Sequence, residues 1–191
     1  MKELFYDGII QGNGIADAIL HTHEPFIKDY LILHILLRKY NPKTVLEIGT
    51  HIGEGTQIIC NAVPKAKVYS LDLPLEETEK TLQHPVFKGI EVGAMCTRTY
   101  TQMLCDSLDF DYSKYPCEAY FVDGEHTEKN VLHETVQILN CKPKLIIYHD
   151  YDISEVASGI KKAFSNHVES INYYLYLIKD TSIAYATRRM D

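Results

Sequence analysis

Apolar residues fall along this chain in two alternating patterns. TVLEI (44–48), EAYFVD (118–123) and KLIIYHD (144–150) are short, nearly continuous apolar runs, as expected of strands buried on both faces. Between them lie segments with helical spacing. Residues 28–40 (KDYLILHILLRKY) read as an amphipathic helix stopped by Asn41-Pro42. A second helix is expected over roughly 54–62, closed near Pro64. VYSLDL (68–73) reads as a strand ended by Pro74, and 75–83 as an acidic, polar helix. GIEVG (89–93) reads as a short third strand, whereas YTQMLCDSL (100–108) fits neither period cleanly. Residues 127–139 place Val131, Leu132, Thr135, Val136 and Leu139 at helical intervals, and 153–165 also read as helix. INYYLYLI (171–178) and SIAYATR (182–188) flank Lys179-Asp180-Thr181 as the two arms of a hairpin.

Strand and helix therefore alternate, which argues for an α/β fold. The expected architecture is a Rossmann-like, doubly wound sheet of seven mostly parallel strands. Helices cover both faces, and the C-terminal hairpin is antiparallel. In such sheets ligands bind beyond the carboxyl ends of the strands, at the switch point.

A length of 191 residues suits one domain, and 46% hydrophobic residues supply a sizeable core. With 26 acidic against 19 basic residues the net charge is −7, which disfavours a nucleic-acid partner. The start, MKELFYDGIIQGNG, has no basic stretch followed by a long apolar run, so no secretory signal is expected. The apolar stretch Tyr30–Leu37 is too short to span a bilayer, and no membrane partner is expected. Five scattered cysteines without a C-x-x-C pair fit reduced thiols in a cytoplasm.

The turn after the first apolar strand reads Glu47-Ile-Gly49-Thr50-His51-Ile-Gly53-Glu-Gly55-Thr56. The glycines let the chain pass close to a ligand. Their spacing is neither the G-x-G-x-x-G of dinucleotide binders nor a phosphate-binding loop ending in Gly-Lys-Ser/Thr. Glu47 is a carboxylate in an otherwise apolar strand, and a ligand ammonium would suit it. Asp72 closes the next strand, where an acid can accept both hydroxyls of a ribose. The plainer readings are an ordinary tight turn and a turn-forming Asp.

VLEIGTHIGEGT followed by VYSLDLP resembles class I S-adenosylmethionine-dependent methyltransferases. Cys105-Asp106-Ser107 with Phe110-Asp111, YFVDGEHTEKNVLHET (120–135) and LIIYHDY (145–151) resemble, in the same order, the G-D-S…F-D, D-G-x-H and H-D-Y segments of the methyltransferase family 24 subgroup. The resemblance spans roughly residues 44–165. It implies a single domain, 1–191, with an N-terminal lid and helix over 1–42 and a cofactor-binding core over 43–191. It implies S-adenosylmethionine as cofactor, its methionine part over Glu47, Gly49 and Gly53, its ribose at Asp72 and its adenine near Asp106 and Ser107. Thr50, Gly55, Thr56 and Asp123 complete the expected cofactor contacts. Three positions depart from the subgroup: Cys105 replaces Gly, Glu128 replaces a frequent Tyr and Gly55 a frequent Ser.

Asp123 and His126 follow the fourth strand, and His149-Asp150 follow the fifth, so these groups should converge beside the cofactor's methyl group. His126 or His149 can serve as a general base. Asp123, His149 and Asp150 can instead hold a divalent cation, Mg or Mn, of the kind used by metal-dependent O-methyltransferases. A histidine ligand suits manganese, iron or zinc better than magnesium. Against these stand plainer readings: Asp123 capping a helix that begins near Glu125, Glu125 as a first-turn residue, and His149 as a satisfied interior histidine. His21, His23, His51, His84, His133 and His167 read as surface or packing residues, and Glu76, Glu77 and Glu79 as a solvated face.

The function expected is methyl transfer to an oxygen of a small molecule or sugar-like metabolite. The rivals are a cofactor-binding protein without transferase activity and a metal-dependent relative of hydroxylase type. A chain this short leaves the N-terminal segment, the hairpin or a second copy, as a homodimer, to close the site over the small-molecule acceptor.

Overall fold

A computed structural model describes residues 2–4, 27–74, 76 and 91–189. Its elements in chain order are β1 (Lys2–Leu4), α1 (Ile27–Tyr40), β2 (Thr44–Ile48), α2 (Glu54–Ala62), β3 (Lys67–Asp72), β4 (Thr101–Leu104), β5 (Ala119–Val122), α3 (Glu128–Cys141), β6 (Leu145–Tyr148), α4 (Ser154–Asn166), β7 (Tyr173–Ile178) and β8 (Ala184–Arg188). Short 3-10 turns at Tyr112–Lys114 and Val168–Asn172 precede β5 and β7.

All strands join one sheet in the order β1-β7-β8-β6-β5-β2-β3-β4. Only β8 runs against the others, pairing antiparallel with both β6 and β7. The seven-stranded, mostly parallel sheet with its antiparallel hairpin is therefore present. Lys2–Leu4 adds a short eighth strand at the edge, parallel to β7. These three residues lie in the segment expected to be a lid; residues 5–26, with His21 and His23, lie outside the described residues.

Period-two alternation divides the core. Val45, Val68, Phe121 and Ile147 point to one face and pack against α1 and α2. Leu46, Ile48, Tyr120, Val122, Ile146 and Tyr148 point to the other, against α3 and α4. The central strands β5 and β6 are buried at every position, which explains why they read as unbroken apolar runs.

One expectation about the elements is corrected. The apolar pattern puts a third strand at 89–93, but Val92 and Gly93 lie in a turn and Gly93 takes φ +76°. The outer strand is Thr101–Leu104, inside the stretch of ambiguous pattern, because an edge strand only half buried carries a weak periodic signal. The helix expected over 75–83 and the residues Glu77, Glu79 and His84 lie outside the described residues. Of that helix, only Glu76 is described, and it is helical.

Among the described residues no helix is long and apolar enough to cross a membrane. The order β5-β2-β3 places the switch point at β2, whose chain leaves the sheet between β5 and β3.

Candidate functional site

Glycines build the turn between β2 and α2. Gly49 takes φ +94° and donates its N–H to the Leu71 carbonyl at 2.8 Å. A Cβ there would overlap the Asp123 carbonyl and lie 2.9 Å from Gly124 Cα. Only glycine lets the loops after β2 and β5 meet this closely. Gly53, φ +96°, precedes α2 without a side-chain cap, so the first turn of the helix has no side-chain oxygen on its N–H groups.

A cavity of about 340 Å³ opens at this point, beyond the carboxyl ends of β2, β3 and β5. The predicted residues Gly49, Thr50, Gly55, Asp72, Ser107, Asp123 and His126 line it. Unpredicted ones join them, notably Tyr30 from α1, His51, Glu54, Glu125 and Asn130. Glu54, Asp72, Asp123 and Glu125 make the wall acidic, which favours a cationic ligand.

Glu47 is fully buried rather than at the wall. Its Oε2 accepts from Thr56 Oγ1 and Ser70 Oγ, both at 2.5 Å. Its Oε1 has no partner among the described residues and lies behind Gly55, where a Cβ would come within 2.5 Å of it. Burial pushes the Glu47 carboxyl up to about 8, against the two hydroxyl donors that favour the charged form. Thr50 is equally buried and bonds Ser70 Oγ at 2.6 Å, while Gln102 donates to it at 2.9 Å. Thr56 and Thr50 thus brace the floor of the site.

Asp72 accepts the His51 N–H at 2.6 Å on Oδ2 and the Leu73 N–H at 2.7 Å on Oδ1. His51 reaches that position with φ +48°, an unusual value for a side-chain-bearing residue. Burial raises the Asp72 carboxyl in spite of these two donors and the Thr50 N–H. Asp106 does not line the cavity; it accepts the Leu108 N–H at 2.9 Å and shapes the turn. Ser107 bonds Glu134 Oε1 at 2.6 Å. Glu134 is buried, and burial lifts its carboxyl to about 7.

Charged groups from three segments converge at the far wall: α1, the loop after β5 and the loop after β6. His149 Nδ1 lies 3.1 Å from both Asp123 Oδ1 and Asp150 Oδ2. Its Nε2 lies 3.5 Å from Asp29 Oδ2 on α1. Tyr30 stacks parallel to its ring, with centroids 6.0 Å apart. His126 Nε2 sits 3.1 Å from Asp150 Oδ2 and 3.8 Å from Asp123 Oδ1. Burial alone would lower His149, but bonds to Asp123, Asp150 and Asp29 win and hold it up at about 12. Bonds to Asp123 and Asp150 hold His126 up at about 10. Burial raises Asp150, and the two imidazoles overcome that and pull it well below the ordinary range. Asp150 also takes φ +52°, a conformation tolerated by Asp and concentrated at functional sites.

The two helix-start readings of this region fail on geometry, whereas His149 is also an interior histidine with carboxylate partners. The helix after β5 begins at Glu128 and is capped by Thr127, which accepts the Asn130 N–H. Asp123 is not its cap, and Glu125 lies ahead of its first turn.

No protein-family model matches the chain, and no curated protein matches it in sequence. Solved structures match it in fold. PaMTH1, a methyltransferase of Podospora anserina solved with S-adenosylhomocysteine, superposes with a TM-score of 0.61 at 14% identity, over 94% of this chain and 91% of its own. An O-methyltransferase from Bacillus cereus, in complex with the same ligand, gives 0.59 at 16% identity, over 96% and 90%. MycE, a methyltransferase of the mycinamycin biosynthetic pathway in complex with Mg and S-adenosylhomocysteine, gives 0.62 at 16%, over 93% and 56%; the chain spans about half its length. The chain shares its fold with methyltransferases.

Asp29, Tyr30, His51, Glu54 and Asn130 are the site residues that sequence reasoning did not single out. Asp29 and Tyr30 come from a helix distant in sequence, and no local pattern marks them. His51 had a signal, since it stands inside the glycine-rich turn between two predicted ligand-binding glycines.

Proposed function

We propose that this chain is an S-adenosylmethionine-dependent methyltransferase acting on a hydroxyl of a small molecule. The observation that carries this reading is the shared cavity: the glycine turn of β2, the carboxylate of Asp72, Asp123 and His126 all line it, and His149 and Asp150 stand against Asp123 and His126 from behind. The acidic wall suits a ligand bearing both a sulfonium and an ammonium. Neighbours of the same fold, solved with S-adenosylhomocysteine, support the choice of cofactor.

In this reading Gly49 and Gly55 let the methionine part lie against the backbone. The unpartnered Oε1 of Glu47, behind Gly55, draws its ammonium. Asp72 keeps a lone pair for a ribose, because the backbone donors His51, Leu73 and Thr50 use one each. Ser107, held by Glu134, borders the adenine end. When bound, S-adenosylmethionine supplies an electrophilic methyl group, so the protein's task is largely alignment. His126 lines the cavity as an imidazolium held by Asp123 and Asp150, so it becomes a base for the acceptor's proton only when those carboxylates are neutralised by a bound cation.

The donor set also fits a divalent cation. Asp123, His126 and Asp150 offer ligand atoms within 4.8 Å of one another, and His149 Nδ1 adjoins both carboxylates. Such a cation would neutralise these carboxylates and acidify an acceptor hydroxyl. Mixed imidazole and carboxylate donors favour manganese or iron over magnesium. Two histidines and a carboxylate are also the donor types of oxygen-activating iron sites, which sustains a hydroxylase-type second reading.

Calorimetric titration with S-adenosylhomocysteine, with and without manganese or magnesium, tests the proposal. Micromolar binding is expected. Absence of binding under every condition overturns it, and oxygen consumption with Fe(II) and no methyl transfer favours the second reading.

A further inference from the structure

Cys60 lies on α2 and Cys96 on the segment that leads into β4; Cys96 packs against the core cluster that holds Cys60, and its thiol donates to the Arg98 carbonyl at 3.7 Å. The segment is clasped along one face of the helix. Thr97 donates its N–H to Gln57 Oε1 at 2.7 Å and its hydroxyl to the same atom at 3.1 Å. Arg98 Nε donates to Asn61 Oδ1 at 3.0 Å. Gln57, Cys60 and Asn61 stand at helical i, i+3 and i+4, so the bonds of Thr97 and Arg98 bring the segment that carries Cys96 onto the helix face that carries Cys60. The same segment is tied to the glycine-rich turn: Gly93 donates to the His51 carbonyl at 2.8 Å and Met95 to the Ile52 carbonyl at 2.7 Å.

The two thiols differ in exposure. Cys60 is 5% exposed, whereas Cys96 is only partly buried against the cluster that contains it. Methyl transfer uses neither. A half-exposed thiol beside a buried one, both held on a fixed frame, is the arrangement of a reactive cysteine with its resolving partner.

We propose that Cys96 and Cys60 form a reversible disulfide, made by exchange with low-molecular-weight disulfides and closing the segment covalently onto α2. In the first step the Cys96 thiolate attacks one sulfur of oxidised glutathione, the glutathione S–S bond breaks and one glutathione thiolate leaves. Cys60 then loses its proton to solvent, and its sulfur attacks Cys96, releasing the second glutathione. Two protein thiols are oxidised and one glutathione disulfide is reduced to two thiols. The neighbouring Cys60 thiol lowers the Cys96 thiol to about 7, and Cys96 raises that of Cys60. That influence is lost once Cys96 is blocked, which removes the largest cause that keeps Cys60 protonated.

The full-length protein, incubated with oxidised glutathione at neutral pH and digested without reductant, tests this by mass spectrometry. The expected product is a peptide linking Cys60 to Cys96, two hydrogens lighter than its parts, with a melting temperature raised by about 5 °C or more. Cys60→Ser should stop the reaction halfway, leaving one glutathionyl group on Cys96; Cys60→Ala gives the same readout should the serine variant misfold. Cys141→Ser should leave the cross-link intact. Cys60 and Cys96 still free after the other thiols have reacted, or a link between other cysteines, overturns the proposal.

Discussion

Asp29 Oδ2 lies 3.5 Å from His149 Nε2, and the Ser182 N–H and hydroxyl hold both oxygens of Asp29 at 3.0 and 2.8 Å. A helix near one end of the chain and a hairpin near the other thus fix one imidazole. Nε2 faces the Asp29 carboxylate, and Nδ1 is turned towards Asp123 and Asp150. Carboxylate–imidazole pairs of this kind orient and strengthen metal-ligating histidines. Asp29→Asn keeps an acceptor for Ser182 and removes the charge. The expected outcome is manganese affinity weakened about 10- to 100-fold, with little change in melting temperature. Unchanged affinity by calorimetry would mean that Asp29 serves only to anchor the hairpin.

Glu47 makes stability and binding oppose each other. Burial raises its carboxyl from 4.5 to about 8, so the fold favours the protonated form. That contribution is complete below about pH 4.5 and is lost as pH rises through about 8. Glu47→Gln removes the titration. Near pH 5 variant and wild type should unfold alike; at pH 8.5 the variant should be the more stable, by on the order of 1–3 kcal/mol. Cofactor binding should respond in the opposite sense. An ammonium near Oε1 favours the carboxylate, so S-adenosylhomocysteine should bind more tightly between pH 6 and 8 and release a proton, and the Gln variant should lose affinity. Calorimetry in buffers of different ionisation enthalpy measures the proton. Parallel melting curves for both proteins across this range would sink the assignment.

The local half of this site was legible in the sequence, and the distant half was not. Gly53 and Pro64 bracket α2, and the helix runs from Glu54 to Ala62, as their positions predict. Gly49, Asp72, Asp123 and His126 reach the cavity because each stands at the carboxyl end of a strand whose apolar run is unmistakable. Asp29 and Ser182 left no such trace, since their contact depends on how α1 and the β7–β8 turn pack together. The outer strand was misplaced for a related reason. Thr101–Leu104 pairs on one side only and alternates weakly, while the apolar GIEVG stretch places Gly93 against the glycine turn instead. Asp123 was ambiguous between cap and ligand until the helix start at Glu128 removed the first.

Gly49→Ala tests the close approach of the two loops. The added methyl meets the Asp123 carbonyl, and φ +94° is strained for any L side chain. Backbone must shift in the loop that carries Asp123. A loss of about 2 kcal/mol or more in urea unfolding is expected, together with loss of S-adenosylhomocysteine binding. A variant within 0.5 kcal/mol of wild type would show that the loops separate at little cost.

Asp72 distinguishes a ribose acceptor from a turn residue. Its carboxylate already accepts from His51 and Leu73, so it has a structural task whatever binds there. Asp72→Asn retains an oxygen for one of these N–H groups but offers a donor where a hydroxyl would donate. Hydrogen bonds to a charged acceptor contribute about 1.5–3 kcal/mol, so S-adenosylhomocysteine affinity should fall roughly 10- to 100-fold. Adenine-free fragments of the cofactor, which carry the methionine part alone, should bind variant and wild type equally. Manganese binding at the Asp123 cluster should also be unchanged. If both ligands weaken together, the substitution has disturbed the turn rather than the ribose contact, and Asp72→Ala, which removes the donor as well as the charge, separates the two: a pure turn defect lowers its melting temperature further, whereas a ribose contact lowers affinity with little additional loss of stability.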